Sequence, residues 1–358
     1  MNVFDRIGAD GYEQVVFCQE RNTGLRAIVA IHSTTLGPSL GGTRFYPYAT
    51  EDAALEDVLR LAKGMTYKAA VAGLDLGGGK AVIIGNPATD KNEGLLRAYG
   101  RFVGSLGGRY ITAEDVGTTQ ADMDLIRRET TRVTGVSVEL GGSGDPSAAT
   151  AYGLLNAMNA VSNHLWNETS LTGRHVVVSG VGKVGSGLVR NLIEERAKVT
   201  VADVNPAAVE RMVEQYGVEA TDVDTAHTVP CDIFSPCALG GLLDSVRIPQ
   251  LRCAAIVGAA NNQLADSSCA KLIADLGIVY APDYVVNAGG VINIAEELSP
   301  RGYQKERAIA AVRRVFDTTT MVLQAAEAEG ITTAEAADRI GERRMEEMAR
   351  VYQIRTFG

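Results

Sequence analysis

The chain has 358 residues, 46% hydrophobic and 22% charged, with a formal net charge of −9 at pH 7. So acidic a surface repels nucleic acid and anionic membranes, which excludes both as partners, and no apolar run is long enough to cross a bilayer. The opening MNVFDRIGAD lacks the apolar h-region of a signal peptide, so a cytoplasmic address is expected.

In the first half, apolar segments such as LRAIVAIHS (25–33) alternate with helical ones such as EDAALEDVLRLAKGM (51–65). The stretch GLDLGGGKAV (73–82) then raises a question, because glycines before a lysine often form a phosphate cradle. Ala81 stands where a P-loop needs Ser or Thr, and Leu74 where it needs its first glycine, so that reading fails. A loop whose glycines clear room for a ligand beside Lys80 is expected instead. The turn-forming GGSGDPSAATAYG (141–153) marks a hinge or boundary.

Beyond it the chain takes on a βαβ rhythm. RHVVVSG (174–180) reads as a buried parallel strand, VGSGLVRNLIEERA as a helix and KVTVADV (198–204) as the next strand. Asn205 and Pro206 suit the N-cap and first turn of another helix. CDIFSP, AAIVGAA and IVYAPDYV are further strand candidates. Two amphipathic helices close the chain, the second opened by a capping box, Thr332-x-x-Glu335.

Between the predicted strand and helix lies Gly180-x-Gly182-x-x-Gly185, followed 18 residues later by Asp203 at the end of the next strand. The three glycines serve the tight turn, the approach of a pyrophosphate and helix packing, while the acid accepts from ribose hydroxyls and repels a 2′-phosphate. NAD rather than NADP is the expected cofactor. Five scattered cysteines without a C-x-x-C and four isolated histidines predict no disulfide framework and no metal site.

The blocks LGPSLGGTRF, GMTYKAA, LGGGKAVI, TAEDVGTT, GVGKVG, PCALGG, GAANNQL and APDYVVNAGGVIN resemble, in order, those of the amino-acid dehydrogenases grouped with glutamate dehydrogenase. The resemblance implies an α/β fold of two domains with a cleft between them. Residues 1–145 would form a substrate-binding and oligomerisation domain, with a C-terminal helix (331–358) packing back on it, and 146–330 a Rossmann-type NAD domain. It further implies Lys80 and Asp115 as catalytic, Lys68 as the carboxylate ligand, and Gly41, Gly42, Met65 and Asn262 as substrate contacts. Leu40, Ala113, Val291 and Ile294 would line the side-chain pocket. Thr150, Gly180, Gly182, Lys183, Val184, Gly185, Asp203, Ala238, Asn261 and Asn287 would hold the cofactor. Lys183 is a local departure, since relatives often carry asparagine there.

The implied reaction is reversible NAD-dependent oxidative deamination of a branched-chain L-amino acid, with leucine, valine and isoleucine as substrates, to a 2-oxo acid and ammonia. Relatives preferring valine, phenylalanine or tryptophan share most of these blocks, and a non-catalytic NAD-sensing regulator on the same scaffold is the alternative from another class. Alone, Lys68 reads as a solvated helix residue and Asp115 as a cap; together with the cofactor motif they suit amine oxidation. Relatives also imply a homo-oligomer and suggest an octamer.

Overall fold

The computed structural model describes residues 3–238 and 240–351. The chain divides into two compact units, the first running to Asp145 and including Ile294–Lys305 and Gly341 onward. The second is Pro146–Asn293 with Glu306–Ile340.

The first unit opens with α1 (Val3–Ala9), β1 (Gln14–Glu20), β2 (Leu25–Ser33) and β3 (Ser39–Tyr46). Then come α2 (Glu51–Val71), β4 (Gly77–Ile84), α3 (Glu93–Ser105), β5 (Tyr110–Glu114) and α4 (Gln120–Arg127). The strands form one mixed sheet in the order β1-β2-β4-β3-β5. β1 and β4 each run antiparallel to β2, while β3 pairs in parallel with β4 and β5.

Side chains alternate across a sheet and paired residues share a face. One face carries Phe45, Ala81 and Ile83, which pack with Leu95, Leu96 and Tyr99 of α3 and Met123 and Ile126 of α4. The other carries Ile28, Ala30 and Val82, covered by Leu55, Val58 and Leu59 of α2. Both faces are thus buried, which is why β2 and β4 read as continuous apolar runs rather than alternating ones.

In the second unit, α5 (Ser147–Trp166) begins inside the turn-rich segment, so only the front of that segment is loop. After it come β6 (His175–Ser179), α6 (Lys183–Glu194), β7 (Lys198–Ala202), α7 (Pro206–Tyr216) and β8 (Glu219–Ala220). The unit continues with β9 (Ile233–Pro236), β10 (Ala255–Ile256), α8 (Ser268–Asp275), β11 (Val279–Tyr280), α9 (Asp283–Val286) and α10 (Gly289–Ala295), the last two residues of which group with the first unit. The sheet order is β11-β10-β9-β6-β7-β8 and every pairing is parallel. That is the doubly wound order in which the chain reverses direction between β6 and β9.

Two local expectations change. Asn205 occupies the N-cap of α7 but makes no side-chain cap bond; its N–H instead donates to Asp203 Oδ1 at 2.8 Å. The first of the two closing helices is interrupted at Arg314, giving α11 (Lys305–Arg313) and α12 (Val315–Glu329) ahead of α13 (Thr333–Val351). The Thr332–Glu335 capping box forms, each backbone N–H donating to the other's side chain at 2.9 and 3.2 Å.

The 331–358 segment was expected to return to the first domain as a whole. The start of α13 instead groups with the second unit, and the first unit claims it from Gly341 on; positions 352–358 lie outside the described residues. Thr333 Oγ1 donates to the carbonyl of Tyr280, and Tyr284 Oη to Asp338 Oδ1. Farther along, the Arg344 guanidinium donates to the carbonyls of Ala70 and Leu74 at 3.0 and 2.8 Å, a cation on the C-terminal end of α2. Ile294–Lys305 joins the first unit through Glu297, whose carboxylate accepts from the N–H groups of Gly135 and Ser143.

Candidate active site

The register of the first sheet collects the predicted residues. Leu40 pairs with Gly78 on one side and Ile111 on the other, Thr43 with Ala81, and Gly42 with Ala113. Alternation then sends Leu40, Gly42, Arg44, Lys80 and Ala113 to the face that α2 covers. Met65 and Lys68 sit in the C-terminal half of α2, both half-buried, and Asp115 lies just beyond β5.

The glycine run is not a loop. Gly77, Gly78 and Gly79 are the buried first residues of β4. A Cβ on Gly77 would lie 1.9 Å from the Ser33 carbonyl oxygen, and one on Gly78 2.1 Å from the Thr66 backbone nitrogen. A Cβ on Gly79 would meet Ser39 Oγ at 2.8 Å. The space these glycines clear is therefore filled by the protein's own backbone and side chains, correcting the expectation that they make room for substrate. Gly41 and Gly42 likewise lie within β3 rather than in a turn, and a Gly42 Cβ would press on Asp115 Cβ at 2.8 Å. Without side chains here, β3, β4 and the helix close tightly around Lys80.

Lys80 is 7% exposed, and its Nζ lies 2.7 Å from Asp115 Oδ2. Arg44 Nε stands 3.4 Å from the same oxygen. Burial alone would raise the Asp115 carboxyl, but the charge of Lys80 and then that of Arg44 outweigh it and hold it down at about 2. The carboxylate is therefore ionised at neutral pH, and its basicity is suppressed as long as both cations beside it are charged. Its backbone is held separately, the N–H donating to Thr118 Oγ1 at 2.9 Å. Arg44 lies inside a quoted block yet had no assigned role, because its proximity to Asp115 depends on the pairing of β3 with β5.

In the second unit each glycine of the motif has its own physical reason. Gly180 has φ +108°, and a Cβ there would lie 2.7 Å from the Ala238 backbone nitrogen. At Gly185 a Cβ would lie 1.9 Å from the Gly180 carbonyl oxygen, so the third glycine lets α6 pack on the strand end. Gly182 caps α6 with nothing within 4 Å of its Cβ position, leaving open the side from which a pyrophosphate would approach. Lys183 and Val184 open that helix.

Asp203 Oδ2 accepts from Val181 N–H at 2.7 Å, which ties the acid to the glycine loop and leaves lone pairs on both oxygens. Ala238 follows β9, across the switch point from Gly180. Asn287 is 6% exposed and donates to Asn261 Oδ1 at 2.8 Å, while its own Oδ1 is buried without a partner. An orphaned carbonyl-type oxygen in such a place is a ready acceptor for a carboxamide N–H. Asn262 is exposed with φ +53°, and its carbonyl accepts from Gly241 N–H. Thr150 Oγ1 donates to the Pro146 carbonyl at 3.1 Å on α5, with no direct tie to the glycine loop among its described hydrogen bonds. Val291 and Ile294 lie one turn apart on α10, buried and half-buried.

Among the described residues no group of three His, Cys, Asp or Glu could hold a metal ion, and no helix is long and apolar enough to cross a membrane.

Comparison with known proteins agrees with this architecture. A family model for "Glu/Leu/Phe/Val dehydrogenase, dimerisation domain" matches residues 12–132. One for "Glutamate/Leucine/Phenylalanine/Valine dehydrogenase" matches 141–211 and 204–351. The chain is 53% identical to a leucine dehydrogenase of Geobacillus stearothermophilus, over 97% of this chain and 94% of that protein. It is 54% identical to a valine dehydrogenase of Streptomyces virginiae, over 94% of each. A crystal structure of L-tryptophan dehydrogenase from Nostoc punctiforme superposes with a TM-score of 0.85 at 43% identity, covering 97% of this chain and all of that one.

Proposed function

The chain belongs to the Glu/Leu/Phe/Val dehydrogenase family, and on that premise we propose that it catalyses reversible NAD-dependent oxidative deamination of branched-chain L-amino acids. The observation that carries the chemistry is the ion pair of buried Lys80 with partly buried Asp115, 2.7 Å long, on the sheet face covered by the Lys68 helix. Nearly equal identity to leucine and valine dehydrogenases supports a branched-chain substrate without separating the two.

Lys68 binds the substrate α-carboxylate as a point charge. Asp115 takes a proton from the substrate ammonium, so that the free amine's lone pair drives hydride departure from Cα. Lys80, neutral in the reacting complex once its own proton has passed through Asp115 to solvent, then removes a proton from the water that adds to the imine carbon. It returns that proton to the nitrogen and takes the hydroxyl proton as the C–N bond breaks, so that ammonia leaves and the 2-oxo acid remains. Because the two groups are in contact, a proton can pass directly between them.

NAD, when bound, supplies the hydride acceptor. The open side of Gly182, the α6 N-terminus, the spare lone pairs of Asp203 and the orphaned Asn287 oxygen fit a dinucleotide. Those residues would hold its pyrophosphate, ribose and carboxamide, with Thr150, Lys183, Val184, Ala238 and Asn261 around them. A cytoplasmic homo-oligomer, of octamer size, completes the proposal.

The direct test is NADH formation from NAD with a panel of L-amino acids. Turnover with leucine or valine supports the proposal, and none with any amino acid refutes it. Replacing Asp203 with serine removes the charge that opposes a 2′-phosphate, so the NADP-to-NAD ratio of kcat/KM should rise by about tenfold or more. An unchanged ratio would show that Asp203 does not read the ribose.

A further inference from the structure

We propose that Arg44, anchored by Asp57, is a positioning residue for this reaction, aiming its guanidinium at Asp115 so that the carboxylate faces Lys80 and the substrate amine. The inference rests on the deamination proposed above and adds to it a residue to which no role has been given.

The geometry is a chain of charges from the site into α2. Arg44 Nη1 lies 2.8 Å from Asp57 Oδ2, and that oxygen also accepts from Tyr48 Oη at 2.6 Å. The other Asp57 oxygen takes Arg60 Nη2 at 2.8 Å. The guanidinium is a rigid plane, so fixing Nη1 on Asp57 also fixes where Nε points. That direction is Asp115 Oδ2, 3.4 Å away.

Arg44 Nε and Asp115 Oδ2 are both buried, and neither completes a hydrogen bond of good geometry. Charge, rather than hydrogen bonding, therefore holds this side of the carboxylate. The charged groups facing Asp115 come from two strands, Lys80 from β4 and Arg44 from β3, with Asp57 and Arg60 of α2 and Tyr48 behind Arg44. Lys80 changes protonation in the proposed cycle, whereas a guanidinium stays charged throughout. Arg44 thus supplies the constant part of the field that orients Asp115.

The network is also reachable from solvent. Arg44, Tyr46, Tyr48, Asp57 and Val116 line a recess of about 380 Å³, wide enough to admit a free guanidinium ion once the arginine side chain is removed.

The experiment compares Arg44→Gln, Arg44→Lys and Asp57→Asn with the parent. Arg44→Gln should lower kcat by about 10–100-fold, leave KM for L-leucine within about threefold and leave NAD affinity unchanged. Guanidinium in the assay should restore a substantial part of the loss, and lysine, with the charge but not the fork, only a part. Asp57→Asn loosens the anchor without touching Asp115 and should lower kcat in the same direction by less. Carbon-13 titration of the Asp115 carboxyl, read without substrate, should show it taking up a proton at higher pH in Arg44→Gln than in the parent.

A kcat for Arg44→Gln within about twofold of the parent overturns the proposal. So does a loss that neither guanidinium nor lysine relieves, or an unchanged carboxyl titration. A parent inactive on every amino acid would refute the reaction itself, and the titration would still decide whether Arg44 governs Asp115.

Discussion

Lys80→Ala lowers kcat by about 10²–10⁴-fold, the usual worth of a positioned acid–base group, while NAD affinity stays close to that of the parent. The two effects separate because Lys80 is a β4 residue of the first unit, whereas the glycine motif and Asp203 belong to the second. The deletion also leaves Asp115 with Arg44 as its remaining close cation, so some stability is lost with the activity. Lys80→Gln serves as the control, since its amide keeps a donor near Asp115 and limits that loss. Both variants should be folded by circular dichroism, bind NAD by fluorescence titration and show the lowered kcat. A folded Lys80→Ala enzyme with kcat within about tenfold of the parent would remove Lys80 from the mechanism.

L-Leucine should exceed L-glutamate in kcat/KM by about a thousandfold or more. Leu40, Ala113, Val291 and Ile294, the side chains assigned to the substrate's own, are all apolar. None can pair with a second carboxylate, and burying one uncompensated costs several kcal/mol, about tenfold in rate for each 1.4 kcal/mol. Discrimination among apolar substrates is necessarily softer, because one methylene is worth about 1–3 kcal/mol. Leucine, valine and isoleucine should all react, with kcat/KM spread over roughly one to two decades. In the proposed pocket the β-branched Val291 and Ile294 would restrict room for a ring, so leucine and valine should both exceed phenylalanine. A panel led by phenylalanine or tryptophan would overturn the substrate assignment and leave the family untouched; one led by glutamate would overturn the apolar lining as well.

Much of the second unit was legible in the sequence because its signals are local. Strand, glycine turn, helix and acid follow one another within about thirty residues, and of the three glycines only Gly180 answers to a distant segment, at Ala238. The weaker strands show where that legibility stops. AAIVGAA and IVYAPDYV each yield only two strand residues, and APDYV turns into α9, because Pro282 and Asp283 start a helix where the apolar pattern alone reads as strand.

By itself, then, the sequence determined the family, the dinucleotide motif and the identity of the chemical groups, since these rest on residue types at short, ordered spacings. What the glycines before Lys80 are for was decided by tertiary structure, because the atoms they accommodate belong to Ser33, Ser39 and Thr66, all brought there by packing. So was the meeting of Lys80 with Asp115 and Arg44. These three come from β4, the end of β5 and β3, and only the parallel register of those strands puts them on one face. A slip of one residue would turn Lys80 to the opposite face, since alternation has period two, and no local pattern in the chain specifies that register.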